Sequence, residues 1–97
     1  MIAAFSVSPA GSDDVADAVA EAVRLVRNSG LPNETNAMFT NLEGEWDEVM
    51  GVIKSCVARL AEDSPRVSVV IKIDYRPGVK DALRSKVEAV ERRLAAG

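Results

Sequence analysis

The sequence of 97 residues predicts an α+β fold, in which helices cover one face of a single antiparallel sheet. Apolar and polar residues alternate with the period of a β-strand in two segments, Ile2 to Ser8 and Arg66 to Tyr75. Apolar residues recur at helical spacing in three other segments, and the order is strand, helix, two short strands, helix, strand, helix. This is the order of a ferredoxin-like βαββαβ sandwich with an additional C-terminal helix.

The first helix has recognisable start and stop signals. We expect Ser12 to be its N-cap, with Asp13 and Asp14 in the first turn, where the helix dipole favours negative charge. Its predicted apolar stripe consists of Val15, Val19, Ala22, Val23 and Val26. The helix is expected to end near Ser29, because Gly30 supplies the left-handed residue that commonly follows a helix.

The later elements follow from the same reasoning. The segment from Asn33 to Gly44 predicts a hairpin or a bent pair of strands. The second helix is expected to bury Val49, Ile53, Cys56, Val57 and Leu60. The final helix is marked by Leu83, Val87, Val90 and Leu94. On its surface Glu88 and Arg92 have the i,i+4 spacing of an ion pair.

The two faces of the predicted sheet differ in polarity. In the first strand Ala3, Phe5 and Val7 point to the core side. The opposite face carries both apolar and polar residues, namely Ile2, Ala4, Val70, Ser6, Ser8, Ser68 and Lys72. Such a face is too apolar for a solvated surface and too polar for a core, so we expect a second copy of the chain to cover it. A small polar ligand at that contact would supply partners for the hydroxyl groups.

Composition narrows the classes of function. With 47% apolar and 28% charged residues the chain is expected to form one globular domain, residues 1–97. The net charge of −3 disfavours nucleic acid as a partner, and no apolar run is long enough for a membrane span. A single cysteine, Cys56, cannot form an internal disulfide, which favours the reducing cytoplasm.

Catalytic and metal chemistry is not indicated by the residues present. The chain has no histidine, so the usual zinc and haem ligands are missing, and we expect neither a metal nor a cofactor. Cys56 lies on the buried stripe of the second helix, without a base to activate it. The acidic run around Trp46 does not match a calcium loop and is explained more simply by the helix dipole.

Several segments together resemble the small thiamine-binding, YkoF-like family over nearly the whole chain. The resemblance is carried by residues 4–9 (AFSVSP), 29–32 (SGLP), 37–50 (AMFTNLEGEWDEVM) and 85–88 (SKVE). It implies a ferredoxin-like fold, a homo-oligomer built as a dimer of dimers, and binding of thiamine or its hydroxymethylpyrimidine part without catalysis. The chain departs from the common family form T-P-M-G-T, since residues 36–40 are NAMFT.

The chemistry of thiamine identifies candidate ligand-binding residues once this resemblance is accepted. The aminopyrimidine edge offers a donor and acceptors, which hydroxyl and amide groups would satisfy, and a thioether suits the face of its ring. The thiazolium is cationic and calls for a carboxylate. The candidates are Ser6, Ser8, Asn36, Met38, Thr40, Glu43 and Asp74.

We therefore expect a cytoplasmic, non-enzymatic homo-oligomer, a tetramer by resemblance, that binds thiamine or a related pyrimidine at the open sheet face. Two other readings of the fold stay open. One is a regulatory module that binds amino acids. The other is an acylphosphatase-like enzyme, which is weakened because Ser8-Pro9-Ala10-Gly11 stands where that enzyme places its phosphate loop.

Overall fold

The computed structural model describes residues 1–11 and 15–97. The elements, in chain order, are β1 (Ile2–Pro9), α1 (Ala16–Asn28), β2 (Asn33–Thr35), β3 (Thr40–Glu43), α2 (Trp46–Ala61), β4 (Val67–Asp74) and α3 (Ala82–Ala96). The predicted N-cap Ser12 and the acidic residues Asp13 and Asp14 lie outside the described residues. The predicted end of the first helix is confirmed, since Gly30 follows α1 with φ +79°.

The four strands form one antiparallel sheet in the order β2-β3-β1-β4. This confirms the predicted ferredoxin-like α+β sandwich with its additional C-terminal helix, α3. The segment from residue 33 to residue 44, for which a hairpin or a bent pair of strands was predicted, is a hairpin in which Thr35 lies opposite Thr40. Helices α1 and α2 pack against each other and against the central strand β1.

The core lies between these two helices and one face of the sheet. As predicted, Ala3, Phe5 and Val7 of β1 point into it. They pack with Leu42 of β3 and with six residues of the helices: Ala22, Val26, Val49, Ile53, Cys56 and Leu60. The Cys56 thiol is buried and donates to the Ala22 carbonyl oxygen, which confirms its expected place in the core.

The opposite face of the sheet, here called the open face, has the mixed character expected from the sequence. In the register of β1 with β4, Ser6 lies opposite Val70 and Ser8 lies opposite Ser68. Ile2 and Ala4 lie opposite Asp74 and Lys72 in the same row. Directly opposed residues of an antiparallel pair share a face of the sheet, so the open face carries a mixture of apolar and polar groups.

Helix α3 contributes no buried residue to the core. Of the four apolar side chains that mark it, Leu83 is partly buried, whereas Val87, Val90 and Leu94 are 55–69% exposed. The prediction of an ion pair between Glu88 and Arg92 is wrong, because Glu88 instead contacts Arg84 one turn earlier, at 3.7 Å. The stripe of α3 is therefore an apolar surface without a partner among the described residues.

Helix α2 begins at the acidic segment noted in the sequence. Glu45 is its N-cap, and its backbone N–H donates to the Glu48 carboxylate in a reciprocal capping box. Trp46 is half-exposed and meets the ring of Tyr75 edge-on, with centroids 6.0 Å apart. Within the described part of the chain, no helix is long and apolar enough to cross a membrane.

Substitutions of Leu42 test how much the core contributes to the stability of the fold. Leu42→Ala should lower the free energy of unfolding by about 2–5 kcal/mol, because this fully buried residue joins the sheet to both helices. Leu42→Met, which nearly conserves volume, should cost less than about 1.5 kcal/mol. Chemical denaturation of both variants measures the difference, and equal stabilities would contradict the described core.

Candidate functional site

A cavity of about 120 Å³, here called the hairpin cavity, lies where the β2–β3 hairpin meets β1 and α1. The register of β3 with β1 runs from Glu43 opposite Ile2 to Thr40 opposite Phe5. Beyond Phe5, β1 continues without a β3 partner, and the loop between the hairpin strands lies beside it. The cavity is lined by Phe5, Ser6, Val7, Val19, Ala22, Val23, Thr35, Asn36, Ala37, Met38, Phe39 and Thr40.

Asn36 shapes the loop at the edge of this cavity. Its side-chain oxygen accepts hydrogen bonds from the backbone N–H groups of Met38 and Phe39, each at 2.9 Å. Its own backbone N–H donates to the Phe39 carbonyl oxygen. These bonds occupy the amide oxygen, and no described residue accepts from the amide nitrogen. The side chain of Asn36 can therefore donate to a ligand while its oxygen holds the turn.

Two threonine hydroxyls lie together on the hairpin. The Oγ1 atoms of Thr35 and Thr40 are 3.3 Å apart, and Thr40 is 8% exposed. One of the two hydroxyls donates its hydrogen atom to the other. The accepting hydroxyl can still donate its own hydrogen atom to a ring nitrogen of a ligand. Thr35 was not among the residues predicted for the site, although its position opposite Thr40 in a tight hairpin would have indicated that it belongs there.

The remaining wall of the hairpin cavity is mostly apolar. Phe5 and Ala22 are buried there, and Phe39 closes the loop side. Met38 is 73% exposed, so its thioether borders the opening rather than the interior. The predicted role of Met38 against a ring face is compatible with this position, because a flexible thioether can fold over a flat ligand.

The predicted hydroxyls of Ser6 and Thr40 do not share a face of the sheet. Thr40 lies opposite Phe5 and shares the helix side of the sheet with it, whereas Ser6 follows Phe5 and points to the open face. Ser6 borders the hairpin cavity at the edge of β1. Ser8 lies on the open face and does not line the cavity. The candidate residues, which were expected to bind a ligand at the open sheet face, are therefore divided between the two faces of the sheet.

Glu43 and Asp74 line a different cavity, of about 160 Å³, at the end of the open face where α3 begins. The Glu43 side chain is only 6% exposed. Its two oxygens accept from the backbone N–H groups of Ala82 and Leu83, at 2.7 and 3.2 Å. A residue of β3 thus caps the first turn of α3 across a long sequence separation.

The residue at the local N-cap position of α3 does not perform this role. Asp81 has φ 60°, in the left-handed region, and its side chain pairs with Arg84. Sequence reasoning missed the capping role of Glu43, because only the tertiary fold brings β3 to the start of α3. The Glu43 carboxylate was expected to face a cationic ligand, but it instead accepts hydrogen bonds from two backbone N–H groups.

Asp74 is also paired. Its Oδ2 atom accepts from the Lys86 ammonium group at 2.6 Å, and this hydrogen bond and the charge of Lys86 lower the pKa of Asp74. The carboxylate therefore stays ionised at neutral pH. Its link to Lys86 and the cap by Glu43 together hold the first turns of α3 over the open face.

Glu43 also lines a further hollow, of about 410 Å³, on the side of Leu31 and Lys80. A hollow of about 560 Å³, which none of the seven candidates lines, lies between α1 and the C-terminal end of α2. Arg24 and Arg59 on its wall each pair with Glu21. Across residues 1–11 and 15–97, no group of three or more acidic, cysteine or histidine side chains is placed to hold a metal ion.

A family model described as thiamine-binding protein matches residues 3–91. Among curated proteins, UPF0045 protein Mb1933 of Mycobacterium bovis is 54% identical over 96 residues, which are 97% of this chain and 94% of the relative. UPF0045 protein MJ1052 of Methanocaldococcus jannaschii is 32% identical over 91 residues, 93% of this chain and 91% of the relative.

Solved structures agree with the fold. The crystal structure of the hypothetical protein MJ1052 superposes with a TM-score of 0.85 at 32% identity, covering 93% of this chain and 94% of that one. A putative thiamine biosynthesis/salvage protein, TM0486 of Thermotoga maritima, superposes with a TM-score of 0.79, covering 92% of this chain and 96% of that one. At 24% identity, the second likeness shows the fold alone.

The cap that Glu43 gives to α3 can be measured directly. Glu43→Ala should speed hydrogen exchange at the amides of Ala82 and Leu83, because both lose their acceptor, and should destabilise the first turn by about 0.5–2 kcal/mol. The amides of α2 serve as the internal reference. Glu34→Ala, at an exposed position of β2, should leave α3 unchanged. Unaltered protection in the Glu43 variant would contradict the cap.

Proposed function

The chain belongs to the thiamine-binding protein family, and we propose on that premise that it binds thiamine or its hydroxymethylpyrimidine part without catalysing a reaction. The observation that carries the proposal is the hairpin cavity, which joins Ser6, Asn36, Met38 and Thr40 around one small space. Four of the seven candidates chosen from the sequence thus converge at one place.

The pyrimidine ring is the part of thiamine that suits this cavity. Its flat apolar faces pack between Phe5 and Met38, while its polar edge meets the free Asn36 amide nitrogen and the Thr35–Thr40 hydroxyl pair. Two or three neutral hydrogen bonds of about 1 kcal/mol each, together with ring burial, are consistent with roughly micromolar binding. The ring edge provides the specificity, since an analogue without it leaves these polar groups unpaired.

The thiazolium part has no carboxylate beside it in the hairpin cavity. Glu43 and Asp74 lie at the open face and already bind α3. Ser8 lies on the same face, near the other end of β1. We therefore propose that these three residues contact only the part of a ligand that is bound between this subunit and a neighbouring one. Hydroxymethylpyrimidine alone should then retain most of the affinity of thiamine.

Self-association is part of the proposed function. The open face and the stripe of α3 both present apolar groups, and the first turns of α3 are held over that face by Glu43 and Asp74. Contact with a second copy would cover both surfaces at once. We assign the protein, as a single domain of residues 1–97, to a cytoplasmic homotetramer arranged as a dimer of dimers, without a nucleic acid or membrane partner.

The non-enzymatic assignment is supported by the one thiol of the chain. Burial raises the pKa of Cys56 from 9.0 to about 11, so the thiolate needed for nucleophilic attack is scarce at neutral pH. Because the pKa of Cys56 is higher in the folded protein than in the unfolded chain, the stability that the protonated thiol contributes is fully present below pH 9.0. This contribution is lost as the pH rises toward about 11.

Ligand binding is tested at the amide of Asn36. Asn36→Asp keeps the acceptor that holds the turn but removes the donor, so it should weaken binding of hydroxymethylpyrimidine, which lacks the cationic thiazolium, about tenfold with little change in melting temperature. Asn28→Asp makes the same change at the exposed C-terminal end of α1, away from the hairpin cavity and from the open face, and should bind as the parent does.

Titration calorimetry with thiamine, hydroxymethylpyrimidine and a panel of amino acids measures both variants and the parent chain. Binding of the first two ligands supports the proposal. Heat with amino acids alone would instead establish the regulatory-module function, and equal hydroxymethylpyrimidine affinity in Asn36→Asp would remove that residue from the site.

Self-association is tested at Val70, which is 54% exposed on the open face. Val70→Glu should dissociate the oligomer, because each contact would then bury two unpaired carboxylates. Ala58→Glu places one carboxylate on the exposed surface of α2 and should leave the assembly intact. Light scattering reports the mass of both, and an unchanged mass for Val70→Glu would count against the contact.

A further inference from the structure

A hollow of about 690 Å³, here called the α1 groove, runs along the surface of helix α1. One of its walls is the row Val19, Val23 and Arg27, whose members are four residues apart and therefore lie on one face of the helix. Val19 and Val23 also line the hairpin cavity. The two hollows share these two side chains, so a ligand held in the hairpin cavity borders the α1 groove.

The hairpin cavity has room for a single ring. Its volume of about 120 Å³ is well below the roughly 300–1,000 Å³ of pockets that enclose a whole drug-sized ligand. Met38 and Val19 are 73% and 37% exposed and lie at its rim. A substituent of the bound ring must therefore leave the cavity, and on the side of Val19 it enters the α1 groove.

The charges around the two hollows indicate the class of this substituent. Among the described residues, none that lines the hairpin cavity is charged, and those that line the α1 groove carry charge only at Arg24 and Arg27. A cationic substituent would find no counter-charge in these surroundings. An anionic substituent would meet guanidinium donors, which form the stronger, charge-assisted kind of hydrogen bond.

Of the two guanidinium groups, that of Arg27 is available to a ligand. Arg24 donates to the Glu21 carboxylate at 2.5 Å. Arg27 lies exposed in the last turn of α1, and no group in the part of the chain that the structure describes pairs with it. A helical side chain leans toward the N-terminus of its helix, so the guanidinium of Arg27 reaches over the turn of Val23, toward the hairpin cavity.

We propose that the ligand of the hairpin cavity is a phosphate monoester of hydroxymethylpyrimidine, whose ring occupies the cavity and whose phosphate binds Arg27 in the α1 groove. This inference rests on the proposed function, because it takes the pyrimidine ring to be the part held in the cavity. The hydroxymethyl group is the substituent that leaves the cavity, and its oxygen is the atom that carries the phosphate in the ester.

The phosphate group suits the position of Arg27. At pH 7 a phosphate monoester carries a charge of about −1.5 to −2 and three strong acceptor oxygens, and its second pKa is about 6. Two of those oxygens match the parallel N–H groups of a guanidinium. Because Arg27 is exposed, the contribution of this contact to affinity decreases with salt, as the Debye length falls from about 10 Å at 0.1 M to about 3 Å at 1 M.

Titration calorimetry of the full chain with hydroxymethylpyrimidine, its phosphate monoester and inorganic phosphate tests the inference. At low ionic strength the ester should bind about tenfold more tightly than the alcohol, because it adds a charge-assisted contact. Inorganic phosphate should bind much more weakly than the ester, since it lacks the ring. The preference for the ester over the alcohol should decrease with added salt and below about pH 6, where the phosphate loses charge.

Substitution of Arg27 locates the phosphate. Arg27→Gln should reduce the ratio of the two affinities to about one, and Arg27→Lys should retain part of the preference, because it keeps the charge but not the paired donors. Lys54→Gln removes the same charge from the exposed surface of α2 and should keep the full preference. An effect of net charge alone would lower the preference equally in Arg27→Gln and Lys54→Gln, and that outcome would contradict the assignment of Arg27.

The possible results separate this inference from the proposed function. Binding of the alcohol without tighter binding of the ester overturns the inference and leaves the proposed function in place. The inference is also overturned if Arg27→Gln keeps the preference, or if inorganic phosphate binds as tightly as the ester, because the ring would then contribute nothing. If neither the alcohol nor the ester binds, the proposed function and the inference both fail.

Discussion

The structure depends on one constraint: two helices can cover only one face of a four-stranded sheet. Helices α1 and α2 enclose Leu42, Phe5 and the other core residues on that face. The open face, the outer edge of β4 and the stripe of α3 remain, and all three carry apolar groups. A domain of 97 residues that leaves this much apolar surface has a reason to associate, and self-association is the solution that needs no other gene product.

Strand β3 connects the hairpin cavity with the start of α3, the two regions to which we assign a proposed function. Although it has only four residues, Thr40 at its start lies in the hairpin cavity and Glu43 at its end caps α3. The cap requires a hydrogen-bond acceptor in a buried position, which explains why a carboxylate lies 6% exposed beside the open face. The same strand thus positions the proposed ring-binding groups and the helix proposed to meet a neighbouring copy.

The fold could be predicted from local signals, because alternation in β1 and β4 and the helical repeats are properties of short segments. The candidate site could be predicted only in part. Asn36, Met38 and Thr40 converge because one hairpin holds them. The separation of Ser6 from Thr40 follows from the register between β1 and β3, which a single sequence does not specify. The cap by Glu43 depends on the path of the chain between β4 and α3 and left no sequence signal.

The account rests on the proposal that other copies of the chain cover the open face and the stripe of α3. Sedimentation equilibrium of the unmodified chain, from low to high concentration without ligand, tests it most directly. The account predicts a particle of several 10.4 kDa chains, with four as the limiting assembly. A mass that stays at a single chain across the whole concentration range would contradict it.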